Sequence, residues 1–223
     1  MIKIGDKIAN IILILGLVVL MFVSSSAAAG FILKLQDVID WDKLLVAFKA
    51  IEENPSLNNR IKFLSLIPEK YTDNQIGNIE KFLMAINASE KHEKLLCEGD
   101  IYIVEATFRL MAYVEPGAYY EDLFISLGKL ATDRPRLFLQ MLNKYEENFK
   151  YEYPVTMTEI LDIVPDIITK EDAERQRKEE LKLYEKRIKA LESVTDPELL
   201  RVRDRCIKEI KEIIERLKRL KQL

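Results

Sequence analysis

Histidine is nearly absent from this chain, since His92 is the one instance among 223 residues. A single histidine excludes every metal site that needs two imidazole ligands. It also means that a Ser-His-Asp or Cys-His arrangement would have to use His92. His92 stands in the polar string Ser-Glu-Lys-His-Glu-Lys. We therefore expect His92 to be exposed, with no role as a ligand or a base.

Cysteine is scarce too, with Cys97 and Cys206 far apart and no CxxC pair. Cys97 follows His92 by five residues, on roughly the opposite side of a helix, so we predict a buried structural thiol there. The spacing leaves open whether the two cysteines form a disulfide. The amino-terminal apolar run is not followed by a cysteine, which argues against the lipid attachment of a bacterial lipoprotein.

Glycine and proline number seven each, and the chain contains neither GxxxxGK[ST] nor GxGxxG. This excludes the known glycine-rich phosphate-binding loops. Few turn-forming residues also mean long secondary-structure elements. These absences predict a non-catalytic protein with no catalytic, cofactor-binding or metal-binding residues and with no cofactor.

Carboxylate chemistry needs only two acids, so counting does not exclude it. The candidates for a sugar-binding cleft are Asp40 and Asp42 beside Trp41, and Glu121 and Asp122 after Tyr119 and Tyr120. A simpler interpretation is that Asp40 caps a helix and that the later acids occupy the first turn of another, where they favour the helix dipole. The glycosidase-like hypothesis is therefore the weaker one.

An apolar stretch, Ile8 to Ala29, decides the predicted compartment. Lys3 and Lys7 precede it, and small residues close it, an order typical of a secretory signal cleaved after Ala29. The alternative is a membrane helix over Ile11 to Leu33. Both place the body outside the cytoplasm, as a periplasmic or secreted protein or as a single-pass membrane protein. A third interpretation is a buried helix of a cytoplasmic protein.

Residues 30–168 are predicted to form an all-α body. Capping residues precede apolar residues at helical spacing. The predicted helix starts are Asp40, Ser56, Thr72 or Asp73, the Glu98 to Asp100 break, Pro116-Gly117 and Asp133 with Pro135. Each of the first three helices has a predicted apolar face. These faces consist of Leu44, Leu45, Phe48 and Ile51 in the first helix, of Leu57, Ile61, Leu64 and Ile67 in the second, and of Ile76, Ile79, Leu83 and Ile86 in the third. A short strand is an alternative at Ile101 to Val104. The helix spacing favours an irregular array of helical pairs, α-solenoid-like or a compact bundle.

Self-similarity is weak. Phe63 to Leu66, followed by Thr72-Asp73, resembles Phe124 to Leu127, followed by Thr132-Asp133, and short apolar strings of this kind recur by chance. No tetratricopeptide or ankyrin consensus is present. Lys150 to Asp166 interrupts the rhythm and is predicted to be a connector with a short helical patch at Ile160 to Val164.

Residues 169–223 are predicted to form an antiparallel helical hairpin. Thr169, with Asp172 at the third position, begins the first helix, and Asp196-Pro197-Glu198 begins the second. The apolar positions are Leu181, Tyr184, Ile188 and Leu191 in the first helix and Leu199, Cys206, Ile210, Ile213, Leu217 and Leu220 in the second. The second set is heptad-like, as in a coiled coil.

Charge divides the chain. From Lys170 onward, 17 lysines and arginines face 13 acids, a net charge of +4, whereas Gly30 to Thr169 has 15 against 23, a net charge of −8. Acids are interspersed among the basic residues of the last helix, so we predict a solvated surface and no nucleic acid partner.

Taken together, the sequence predicts an exported helical interaction or scaffold protein of the cell envelope. A protein partner and self-association through 169–223 are expected, with a membrane contact only if the amino-terminal segment is retained. The alternatives are a binder or enzyme with a carboxylate- and tyrosine-lined cleft, and a membrane-anchored coiled-coil spacer.

Overall fold

The computed structural model describes residues 38–150, 152–158 and 169–219. The apolar stretch Ile8 to Ala29 and the predicted helical patch Ile160 to Val164 lie outside the described residues. Within the described ranges, no helix is both long enough and apolar enough to cross a bilayer.

The fold is all-α and ends in a helical pair, as predicted. Its helices are α1 Trp41–Glu53, α2 Leu57–Ser65, α3 Ile79–Asn87, α4 Glu90–Glu98, α5 Ile101–Leu110, α6 Ala118–Asp133, α7 Pro135–Tyr145, α8 Lys170–Glu192 and α9 Leu200–Arg219, with 3-10 turns at Glu146–Asn148 and Pro197–Leu199. Two short strands, β1 Ile39–Asp40 and β2 Gln75–Ile76, pair in parallel.

Local capping explains where several helices begin. The side chains of Asp40, Ser56 and Thr169 accept hydrogen bonds from backbone N–H groups three residues later, as predicted. Gly99, at φ 81°, ends α4 in the left-handed conformation, and Asp100 caps α5. The alternative of a strand at Ile101 to Val104 is therefore wrong, because the Asp100 carboxylate accepts bonds from the first N–H groups of a helix.

The predicted start of the third helix is wrong. Asn78, not Thr72 or Asp73, caps α3, because β2 pairs with β1 and keeps the preceding residues extended. Ile76, assigned to the apolar face of that helix, lies on this strand and is 54 % exposed. Ser89, at the start of the polar string around His92, caps α4.

The predicted apolar face of α2 is also partly wrong. Leu57 and Ile61 are 49 % and 43 % exposed, whereas Phe63 is fully buried. This helix packs on α1 and α5, and its Phe63 ring lies 5.8 Å from that of Phe48. The structure does not favour the suggested repeat, because Phe63 lies in the nine-residue α2 whereas Phe124 lies in the sixteen-residue α6.

Aromatic rings fill the core of the amino-terminal half. Trp41 and Phe48 of α1 surround Phe82 of α3, with ring centroids 5.5 and 6.1 Å away. Each ring is at most 2 % exposed. Helix α6 lies at the centre of the fold and contacts α3, α4, α7 and α8, so it joins this aromatic core to the helical pair.

The helical pair packs on the body around a fully buried arginine, Arg187 of α8. Its Nη1 atom donates to the carbonyl oxygens of Val155 and Met157, 2.7 Å from each, and its Nε donates to Thr132 Oγ1 at 3.1 Å. Gly128 of α6 leaves the space, because a Cβ there would lie 2.8 Å from Arg187 Nη2. The guanidinium therefore bridges α6, α8 and the segment before the pair.

An ion-pair cluster around Glu146 forms a second link between body and pair. Arg201 and Arg205 of α9 donate to the Glu146 carboxylate at 2.5 and 2.7 Å, and the Tyr153 hydroxyl donates to it as well. The hydrogen bond from Arg201, reinforced by Tyr153 and Arg205, outweighs burial and lowers the pKa of Glu146 to about 2. The carboxylate therefore stays ionised at neutral pH.

Candidate binding site

The prediction that His92 is exposed is wrong, because only 3 % of it reaches solvent. Its ring packs 5.9 Å from Phe48, and Nε2 lies 3.3 Å from Thr107 Oγ1. The Thr107 hydroxyl donates its hydrogen bond to the Ile103 carbonyl oxygen, so its oxygen accepts a hydrogen bond from the Nε2–H of His92. Burial lowers the pKa of His92 to about 4, which makes it a weak base at neutral pH.

The prediction that Cys97 is a buried thiol is only partly confirmed, and Cys206 is the more buried of the two cysteines. Cys206 is buried, and this burial raises its pKa, whereas Cys97 is only partly buried. The structure joins them by no disulfide. The raised pKa of Cys206 is the opposite of the lowered pKa that marks a reactive thiolate.

The predicted carboxylate candidates do not converge on one cleft. Asp40 caps α1 and pairs with Lys43, and the hydrogen bonds from Lys43 lower its pKa. Trp41 is buried and donates to the Gln75 side chain at 3.2 Å. Asp122, on α6, accepts a hydrogen bond from Asn87. Across the described ranges, no group of three His, Cys, Asp or Glu side chains is placed to hold a metal ion.

The fold does bring His92 and Asp122 to one small polar cavity of about 190 Å³ between α4 and α6. Glu93 and Lys129, which form an ion pair at 2.8 Å, also line it. Its volume is below the usual range of pockets for small organic ligands, so this cavity suits water better than a substrate.

A larger cleft, about 570 Å³ in volume, opens between the β2 region and the start of α6. We call it the tyrosine cleft, and its defining residues are Tyr71, Glu80, Leu83, Tyr113, Tyr119 and Lys150. Tyr71 is 44 % exposed, and its ring centroid lies 5.1 Å from that of Tyr113. The cleft therefore combines aromatic faces, an aliphatic wall and side chains of both charges.

Ring packing and a hydrogen bond hold the base of the tyrosine cleft in place. Tyr113 packs edge-on against Trp41 at 5.5 Å, and its hydroxyl accepts a hydrogen bond from the Thr72 N–H at 3.3 Å. Burial raises the pKa of Tyr113, so its hydroxyl stays protonated at neutral pH. The Lys150 ammonium lies 4.6 Å from the centre of the Tyr71 ring, within cation–π distance.

Sequence reasoning singled out Tyr119 but missed Tyr71, Tyr113 and Lys150. These three lie in the loop before β2, just after α5 and beyond α7. The parallel pairing of β1 with β2 and the packing of α6 bring them together, so no local pattern marks them in advance.

Comparison of the chain with protein-family models, with curated proteins and with solved structures finds no match in any of the three. The class that the fold defines is an all-α protein with a carboxy-terminal helical pair. Function is therefore inferred from the chemistry of the tyrosine cleft and of the charged surface.

Proposed function

We propose that this protein is an exported, non-catalytic interaction or scaffold protein of the cell envelope. It holds a segment of a partner protein in the tyrosine cleft and associates with itself through its carboxy-terminal helical pair. Export rests on the order of charged, apolar and small residues around Ile8 to Ala29. The observation that best supports binding is the exposure of Tyr71, which is 44 % exposed beside the buried Tyr113.

Tyrosine suits this role for a physical reason. Its side chain offers a large apolar face at little cost in conformational entropy and a polar end for hydrogen bonding, so tyrosine is enriched in protein interfaces. Glu80 and Lys150 at the same cleft supply a negative and a positive charge. A partner segment with an apolar or aromatic side chain flanked by a charged residue fits these features.

The cleft is tested by placing a photo-crosslinking amino acid at position 71 in living cells. The matched control is the same replacement at Tyr102, which is partly exposed on α5 and does not line the cleft. We expect a discrete crosslinked protein from position 71 and none from position 102. Equal crosslinking from both positions, or none from either, would contradict partner binding in the cleft.

The cellular compartment of the protein is tested separately, by cell fractionation and by amino-terminal sequencing of the mature chain. We expect the body in the envelope or the medium, and a mature chain that begins at Gly30. Retention of the whole apolar stretch would instead favour the membrane-anchored spacer. A body found in the cytoplasm would contradict the proposal.

A second candidate function is binding of a small molecule, favoured by one observation. The volume of the cleft, about 570 Å³, falls inside the range of ligand pockets. Native mass spectrometry of the protein purified from cells separates the two functions. A bound small molecule that is lost in Tyr113→Ala but retained in Tyr102→Ala would support the second.

A further inference from the structure

The two faces of α9 differ sharply. Val202, Cys206 and Ile210 point inward and belong to the core of the whole protein. From Leu199 to Leu217, the described part of the heptad-like apolar stripe is buried or partly buried against the body and α8, so the opposite face is the one available for self-association. That face is charged and exposed.

Six charged residues form a continuous outer stripe along α9. They are Asp204, Lys208, Lys211, Glu212, Glu215 and Arg219. All six are exposed and fall within an arc of roughly 100°, at 3.6 residues per turn, over about 22 Å of helix. An open groove of about 900 Å³ is lined by all of them and has Ile207 beside them.

The order of signs in the outer stripe is self-complementary. From Asp204 to Arg219 it runs acid, base, base, acid, acid, base, and it reads the same backwards with every sign inverted. Solvation of a surface does not require this order. An antiparallel pairing with an identical stripe does, because the two-fold axis places each residue opposite the one that mirrors it.

We propose that two copies of this chain associate through antiparallel α9 helices, with the two-fold axis between Lys211 and Glu212. Lys211 then lies opposite Glu212 of the second copy. In the same way Lys208 faces Glu215, and Asp204 faces Arg219. Each contact occurs twice by symmetry, which gives six ion pairs between the copies.

Other arrangements are disfavoured by like charges. A parallel pairing places every stripe residue opposite its own copy. An antiparallel pairing shifted by one turn places Asp204 opposite Glu215 and Lys208 opposite Lys211. The outer stripe therefore selects both one orientation and one register.

The ion pairs that the outer stripe forms within its own chain leave it available to a second copy. Lys208 and Glu212 approach each other at 3.8 Å, and Glu215 and Lys218 at 3.2 Å, on exposed side chains. Asp204 pairs with the neighbouring Arg203 at 2.6 Å, and the Asp204 carboxylate stays largely exposed. Exposed pairs of this kind are weak and exchange readily. A second copy replaces them with pairs that are shielded on one side, and their strength depends on salt.

The test uses charge reversal in the full chain, held in a mild detergent if the apolar stretch is retained. Lys211→Glu and Glu212→Lys each turn attraction into repulsion at the axis, whereas the double variant restores opposite charges. Lys182→Glu, exposed on α8, is the control for net charge. Sedimentation equilibrium at about 50 mM and about 500 mM salt gives the dimer Kd, with circular dichroism to check folding.

We expect a dimer at low salt whose Kd rises at least about tenfold at high salt and at least about tenfold in each single variant. The double variant and the control should return to within about threefold of the original Kd. An equimolar mixture of the two single variants should form heterodimers, because its stripes are then oppositely charged at the axis. A monomer at low salt, or a double variant as weak as the single variants, would overturn the interface.

This interface rests on the proposed self-association, but its failure is distinguishable from failure of the scaffold role. Specific crosslinking at position 71 together with a monomer would leave partner binding intact and remove the α9 pairing. A dimer that responds to charge reversal, without crosslinking at position 71, would do the opposite.

Discussion

Two buried basic side chains mark the two halves of the molecule, and they carry opposite protonation states. His92 lies beside Phe48, with Thr107 as the acceptor near its ring, and burial lowers its pKa to about 4. Arg187 keeps its charge, because the carbonyl oxygens of Val155 and Met157 lie 2.7 Å from its guanidinium and arginine does not lose its proton in proteins. Burial therefore makes the imidazole neutral, whereas the guanidinium stays charged and depends on its carbonyl acceptors to offset the cost of its burial.

The difference between these two buried groups reflects how each half of the molecule is built. The amino-terminal half excludes water with aromatic rings and holds a neutral imidazole. The contact between body and helical pair is organised by a charged group whose hydrogen bonds join three segments. We therefore expect the first region to be sensitive to pH and the second to be sensitive to loss of hydrogen-bond partners.

The largest expected effect is a charge placed in the second region without acceptors. Ile210→Asp should cost about 5 kcal/mol or unfold the chain, because Ile210 is fully buried in the apolar core and burying a carboxylate there is strongly unfavourable. Urea unfolding measures the change, with Lys218→Asp on the exposed side as the control. An unchanged urea midpoint for Ile210→Asp would contradict the packing of the helical pair into the core.

Arg187→Met should cost about 3 kcal/mol, because the carbonyl oxygens of Val155 and Met157 lose their donor while apolar volume is kept. Hydrogen exchange should show faster opening of α8 than of α1. Arg175→Met, on an exposed site of the same helix, should change little. Equal stabilities of the two variants would contradict the role assigned to the buried guanidinium.

Because His92 is buried, we expect the free energy of unfolding to decrease in mild acid. Its pKa in the folded state, about 4, lies below its unfolded value near 6.5, so the unfolded chain binds the proton more tightly. Stability is therefore complete above pH 6.5 and falls by about 3 kcal/mol as the pH decreases to about 4. Unfolding midpoints measured across this range check the slope.

His92→Gln is the matching control, since the amide can still donate to Thr107. The variant should lose the slope between pH 6.5 and 4.5 but keep the decline below 4.5. That decline comes from Glu146, whose pKa is lowered to about 2, and from Glu105. Burial alone raises the pKa of Glu105, but hydrogen bonds from Tyr145, Arg109 and Lys144 outweigh it and lower the pKa to about 2. An unchanged slope in the variant would contradict the assignment to His92.

The smallest effect concerns Gly128. Alanine there should favour the helical conformation by up to about 1 kcal/mol, yet its Cβ would lie 2.8 Å from Arg187 Nη2. We expect Gly128→Ala to cost about 1 to 2 kcal/mol net, since a packed interior does not absorb an extra methyl group. In the Arg187→Met background the cost should shrink. Additive effects would show that the two residues do not share this space.

The fold class and several helix starts follow from the sequence. Asp40, Ser56 and Thr169 each cap a helix through a bond three residues along the chain, and such bonds depend on neighbouring residues alone. The end of α4 at Gly99 is equally local. Most of the tyrosine cleft could not be predicted from the sequence, because Tyr71 and Tyr113 are far apart in the chain and meet only when separate elements pack together.

Sequence by itself determined that this chain is helical, where many helices begin and that charge is ordered along its last helix. Tertiary structure decided which faces point inward: it buried Phe63 while exposing Ile61, and it enclosed His92 despite its polar neighbours. The reason is physical. Capping and periodicity act within a few residues, whereas burial depends on the elements that pack against a helix, and this packing left the outer stripe of α9 on the surface.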